Sequence, residues 1–247
     1  MNVRLIFHGD LADMLNGLHR FPEPCRDLSR LAPVKDLVES RGVPHTEVGS
    51  IVSGNRNRSF QYIPHWGETL DIHPHKPPVD VSRPSLLFPE PFDRSAFVVD
   101  VNVARLASLL RLTGFDTLYD PHWGDAQIAD VAGKDRRILL TRDKELLKRN
   151  RVLWGHLIRS QHPWEQLAEV IHFFGLKDRI ELFTRCPKCN VPLVRTDKGD
   201  VIERLEPLTR LMYERFTRCP GCGQVYWSGS HHSRIREKLA AALVNLQ

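Results

Sequence analysis

"FVVDVNVARLASLLRLTGFDTLYD", residues 97–120, decides the fold. Phe97, Val98 and Val99 make a compact strand that stops at Asp100. "VARLASLLRLTG" then places apolar residues at helical spacing and closes on Gly114, and "FDTLYD" reads as a second short strand. The alternation continues downstream. "DAQIADVAGKD" is a helix entered through Asp125, "RRILLT" a strand, "KELLKRN" a helix, "RVLWGHLI" a strand and "PWEQLAEVIHFFG" a helix. Strands and helices taking turns in this way predict an α/β fold, a parallel sheet covered by helices.

Upstream, residues 74 to 95 hold six prolines, Pro74, Pro77, Pro78, Pro84, Pro89 and Pro91. Proline favours extended chain and cannot sit inside a helix, so the stretch is the natural boundary. Residues 1–76 then form a first domain of mixed character. "VRLIF", "EVGSIVSG", "RSFQYI" and "ETLDIH" are strand-like, and "VKDLVESRG" is a short helix closed by Gly42. Residues 77–95 are the linker and residues 96–182 the alternating core. Residues 183–247 carry paired cysteines and end in a helix, "IREKLAAALVNL".

The 247 residues are 41% hydrophobic and 26% charged, ordinary values for a folded globular chain. No apolar window reaches the about 18 residues that a membrane span needs. The start, "MNVRLIFHGDLADML", has too short an apolar run for a signal peptide, so a cytoplasmic location is expected. Charge is uneven. Residues 1–80 hold 9 Lys and Arg against 10 Asp and Glu, and residues 81–182 hold 15 against 14. Residues 183–247 hold 11 against 6, so the whole of the positive excess lies there, where it would attract a polyanion.

"RCPKC" and "RCPGCG" are near copies separated by 29 residues. Each loop presents two thiolates, Cys186 with Cys189 and Cys219 with Cys222. Two such knuckles make a four-sulfur zinc site with no position left for substrate, which is a structural role. Disulfides are disfavoured in a reducing compartment. Cys25 stands apart and reads as a lone thiol.

In an open parallel sheet, functional groups gather where strands end and helices begin. Asp100, Asp125 and Asp143 fall at such junctions, and Asp120, ending the second strand, is a fourth candidate. Clustered carboxylates repel unless a cation neutralises them, and Mg²⁺ or Mn²⁺ suits oxygen ligands. Aspartate is also a favoured helix cap, so each of these residues has a purely structural reading as well. Arg105, Arg142, Arg159 and Ser160 lie where they could meet a phosphate. Arg111 reads as a solvated helix residue, and His122, Trp123 and His156 as packing or loop residues. "WSGSHH", residues 227–232, reads as a polar loop, either folded back towards the acidic site or a plain turn.

Together "FVVDVNVARLASLLRLTGFDTLYD", "RILLTRD", "RSQHPWEQL", "FTRCPKC" and "RCPGCGQVYWSGSH" resemble the Mut-seven C-terminal RNase family, over about residues 96 to 239. The resemblance implies a PIN-like nuclease core fused to a zinc ribbon. "VKDLVESRGVPHTEVGSIVSG" makes the first segment similar to the ubiquitin-like β-grasp domain found in front of such cores. It lacks a terminal Gly-Gly, so thiocarboxylate chemistry is not expected. The resemblance implies Asp100, Asp125 and Asp143 as the acidic site, with Arg142 and Arg159 as neighbours. Two departures stand out. Asn102, Val103 and Ala104 follow Asp100 where the family has an apolar-Leu-Gly step, and Arg159, Ser160 and Gln161 stand where PIN nucleases often bring a fourth acid. The resulting expectation is a metal-dependent ribonuclease with Mg or Mn at the carboxylates and structural Zn in the ribbon. RNA is the expected substrate, and the β-grasp domain would recruit a protein partner or restrain access. The rival expectations are a non-catalytic RNA- or ribosome-binding adaptor and a protein-interaction module built on the first domain.

Overall fold

A computed structural model describes residues 3–15 and 31–244, so Cys25 lies outside the described residues. The first unit contains β1 (Arg4–Phe7), α1 (Val34–Ser40), β2 (Val48–Ser53), β3 (Arg56–Asn57) and β4 (Thr69–Pro74). Its sheet runs β1-β4-β2-β3, with β1 parallel to β4 and the other pairs antiparallel. Helix α1 buries Val34, Leu37 and Val38 against this sheet. "RSFQYI", expected as a strand, is not one. The carbonyls of Phe60 and Tyr62 accept the first two N–H groups of α1, at 3.1 and 2.9 Å. They satisfy the orphan donors of a helix start instead of a sheet ladder.

The second unit is β5 (Phe97–Val99), α2 (Ala104–Leu112), β6 (Thr117–Leu118), α3 (Asp125–Lys134), β7 (Ile138–Thr141), α4 (Lys144–Leu147), β8 (Gly155–Leu157) and α5 (Pro163–Phe173). The strand order is β6-β5-β7-β8, parallel throughout. Alternation along the strands assigns the two faces. Phe97, Val99, Ile138 and Leu140 share a core with Leu106 and Leu110 of α2 and Leu167 and Val170 of α5. Val98 and Leu139 face Ile128 and Ala132 of α3 and Leu146 and Leu147 of α4. Burial on both faces explains why these strands read as unbroken apolar runs. Gly114 ends α2 at φ +97°, where a Cβ would meet the Glu181 carbonyl at 2.7 Å. The last strand is shorter than "RVLWGHLI" suggests; the Trp154 carbonyl still accepts the Leu139 N–H at 3.0 Å, while its ring stacks on Phe88 at 4.1 Å.

The proline-rich stretch is not a free tether. Val79, Val81, Leu87, Phe88 and Phe92 are buried and join the first unit and the parallel-sheet unit into one hydrophobic core. The third unit contains β9 (Val194–Thr196), α6 (Lys198–Val201), α7 (Pro207–Met212), β10 (Phe216–Arg218), β11 (Val225–Trp227) and α8 (Ser230–Val244). Its antiparallel sheet runs β11-β10-β9. Helix α8 returns to the core, where Leu239 is buried. Of the two readings of "WSGSHH", the plain turn does not hold throughout, since α8 begins inside it and His232 stacks on Phe183 at 3.5 Å. The α/β expectation holds in all three parts: an N-terminal sheet unit, a four-stranded parallel sheet flanked by helices and a cysteine-bearing ribbon. Among the described residues, no helix is long and apolar enough to cross a membrane.

Candidate active site

Parallel pairing of β5 with β7 brings Asp100 and Thr141 side by side at the carboxyl edge of the sheet. Asp100 is buried. One of its oxygens accepts from the Val101 N–H at 2.6 Å, and the other from Thr141 Oγ1 at 2.7 Å and Asn102 Nδ2 at 2.6 Å. Thr141 Oγ1 also accepts the Asp143 N–H at 2.9 Å. Thr141 thus links the two aspartates that end the central strands. Asp143 caps α4 through one oxygen, which accepts from Glu145 N at 2.7 Å. Capping and ligation are compatible here, because Oδ2 of Asp143 has no hydrogen-bond partner among the described residues. Sequence reading missed Thr141 and Asn102 as members of this cluster. Asn102 accepts the Arg142 N–H at 3.1 Å, so its amide ties the two strand ends together.

The remaining candidates lie elsewhere. Asp125, at the first position of α3, pairs with Arg149 at 3.3 Å, and both side chains are about half exposed. Among the described residues, only the four cysteines form a group of three or more metal-ligating side chains within 4.8 Å of one another. The three aspartates therefore do not converge in this arrangement. Asp120 accepts the His122 N–H at 2.9 Å in a tight turn. Arg105 is exposed on α2. Arg142 donates to Ser160 O and Gln161 Oε1 at 3.2 and 2.9 Å. The Ser160 N–H goes to Glu169 at 2.9 Å. Arg159 reaches into the first unit, to Asp10 at 2.7 Å and Glu47 at 2.9 Å.

Arg159 belongs to a charged junction that sequence reading left out. Glu47 is buried and accepts the Leu157 N–H at 2.8 Å, which satisfies a donor on edge strand β8. His156, expected as a packing or loop residue, is buried between Glu47 at 3.3 Å and Glu169 at 3.1 Å. Burial works against its charge, but the two carboxylates outweigh burial and raise its pKa to about 9. Burial likewise opposes ionisation of Glu47. The charge of His156, with Arg159 and the Leu157 amide, holds that carboxyl at about 2. A cavity of about 260 Å³ opens beside these residues, between the two units.

The cysteines make the second site. Cys189 and Cys219 sulfurs are 3.2 Å apart and Cys186 and Cys222 sulfurs 3.7 Å. A zinc tetrahedron with bonds of about 2.3 Å has sulfur edges of about 3.8 Å, so the donor set fits that ion with little movement. The Tyr226 hydroxyl lies 3.1 Å from Cys186 Sγ, in reach to steady a thiolate. Arg111 is not solvated. It is 5% exposed and donates to Thr117 O at 2.8 Å and, across to the first knuckle, to Lys188 O at 2.8 Å. Asn190 completes the weld by accepting the Thr117 N–H at 3.0 Å.

Against known proteins, residues 95–239 match the family model described as Mut7-C RNAse domain, and residues 1–80 match the one described as Mut7-C ubiquitin. No curated protein and no solved structure gives a match.

Proposed function

Because the chain belongs to the Mut7-C RNAse domain family, we propose that it is a metal-dependent ribonuclease whose acidic site is Asp100, Asp143 and Asp125. The observation that carries this reading is the Asp100–Thr141–Asp143 linkage at the end of the two central strands. Asp100 and Asp143 offer hard oxygen donors and would hold Mg²⁺ or Mn²⁺. Asp125 would join them once its exposed pair with Arg149 opens. Such a cation, when bound, lowers the pKa of water and neutralises charge on a phosphodiester. The chain's own part is positioning. Thr141 and Asn102 fix the Asp100 carboxylate, and the α4 cap fixes Asp143. Arg142 lies beside Asp143 in the chain and would face the phosphate. The basic ribbon would hold the RNA strand, and the ubiquitin-like unit is suited to contact with a protein partner.

The test is cleavage of a labelled single-stranded RNA with Mn²⁺. Asp143→Asn should lower the rate at least about a hundredfold while the melting temperature stays nearly unchanged, since asparagine caps as well as aspartate. One observation favours the non-catalytic adaptor instead: Asn102 and Arg149 already occupy Asp100 and Asp125. That reading expects RNA retention with no cleavage under any metal.

A further inference from the structure

On the reading of the core as an RNA-cleaving domain, we propose that Arg159 and Lys144 form a phosphodiester-binding rim, which Asp10 and the Met14 carbonyl occupy as an intramolecular competitor of single-stranded RNA. Both competing groups come from one short helical turn, Gly9–Met14, in the N-terminal unit. Asp10 takes the Arg159 guanidinium at 2.7 Å, and the Met14 carbonyl takes the Lys144 ammonium at 2.9 Å. Lys144 directly follows Asp143, and Arg159 lies just beyond β8, so the turn spans from the acidic edge to the edge strand. A carboxylate offers an arginine the same charge and fork geometry as a phosphate.

The two acids on Arg159 have separate duties. Glu47 is 2% exposed and also holds the Leu157 amide, so it belongs to the buried junction. Asp10 is 49% exposed against 38% for Arg159, and a pair that water reaches is weak and exchangeable. An RNA phosphate can therefore displace Asp10 while Glu47 keeps the units docked. Arg142 lies next along the rim, held by Ser160 and Gln161. The first unit would then set how readily the core takes RNA, through contacts that a bound partner protein could pull away, these two among them.

The experiment measures affinity of the full chain for a single-stranded RNA oligonucleotide without added divalent metal. Asp10→Asn should bind about fivefold tighter and with a steeper salt dependence. In an Arg159→Ala background the same change should gain nothing. Lys144→Gln, which leaves the buried junction intact, should bind about two- to threefold more weakly. Equal affinities of wild type and Asp10→Asn would overturn the proposal. So would an equal gain in the Arg159→Ala background, which would mark a general charge effect, or no RNA binding by any variant. The catalytic reading fails on a different result, cleavage that survives Asp143→Asn, which leaves this competition intact.

Discussion

The four thiolates of the ribbon and the three carboxylates of the core edge are assembled by different means. Within each cysteine pair the ligands are three residues apart, so a single turn sets their geometry, and only two turns must meet. The aspartates come from three separate strand–helix junctions, and the whole sheet must deliver them. The four sulfurs converge within 4.8 Å, whereas Asp143 is tied to Asp100 only through its backbone N–H and Thr141, and Asp125 pairs with Arg149. A site written locally is closed by the fold itself. A site written across junctions leaves its exposed member free to take another partner.

Removing zinc should give the largest effect. Structural zinc sites contribute about 10 kcal/mol or more of apparent folding energy. Cys219→Ser or a strong chelator should unfold the ribbon sheet, seen as fast amide exchange across residues 183–228. Persistence of that sheet without metal would break the comparison at its first term. Because Arg111 and Asn190 tie the first knuckle to β6, the loss should spread to the Thr117 amide. Arg111→Ala tests that weld separately. It strips three carbonyls of their donor and should cost about 2–3 kcal/mol and speed zinc release.

The buried junction lies between these extremes. Glu47→Gln should cost about 3–5 kcal/mol, because it removes the fully buried counter-charge that His156 and Arg159 share and leaves them Glu169 and the exposed Asp10. Stability should also depend on pH in two directions. Glu47 and Glu169 are depressed from about 4.5 to about 2, so their contribution is present above 4.5 and lost as pH falls towards 2. His156 is raised from 6.5 to about 9, so its contribution is full below 6.5 and lost as pH climbs through 9. The melting temperature should peak between about 4.5 and 6.5, and Glu47→Gln should flatten the alkaline limb. A wild-type profile flat from 6.5 to 9 would refute the charged state of His156.

What the sequence made legible follows the same division. The buried strands were readable because "FVV" and "ILLT" are apolar on both faces, and the ribbon because its ligand spacing is local. Arg111 was not readable, since helical periodicity says nothing of a knuckle about 77 residues away folding back onto it. Arg159 was only half readable for a similar reason. Its place after a strand suggests a phosphate ligand, but says nothing of its tie to Glu47, 112 residues earlier in the chain. Asn102 stood out only as a departure from the family pattern, and its tie to Asp100 required the pairing of β5 with β7.

The smallest effect on stability is the most informative about the acidic edge. Arg149→Ala removes an ion pair whose members are 44% and 51% exposed, and such pairs are worth about 1 kcal/mol or less. The melting temperature should hardly change. On the proposed reading, freeing Asp125 to join Asp100 and Asp143 should nonetheless strengthen Mn²⁺ binding several-fold, read by titration of the ion's magnetic resonance signal. Asp125→Asn should lose the same small stability and weaken Mn²⁺ instead, so the two variants separate a ligand held in reserve from a mere helix ornament. If both variants leave Mn²⁺ affinity where it was, Asp125 is only the partner of Arg149. The proposed carboxylate site would then have two ligands rather than three, and its difference from the four-cysteine site would be one of composition as well as closure.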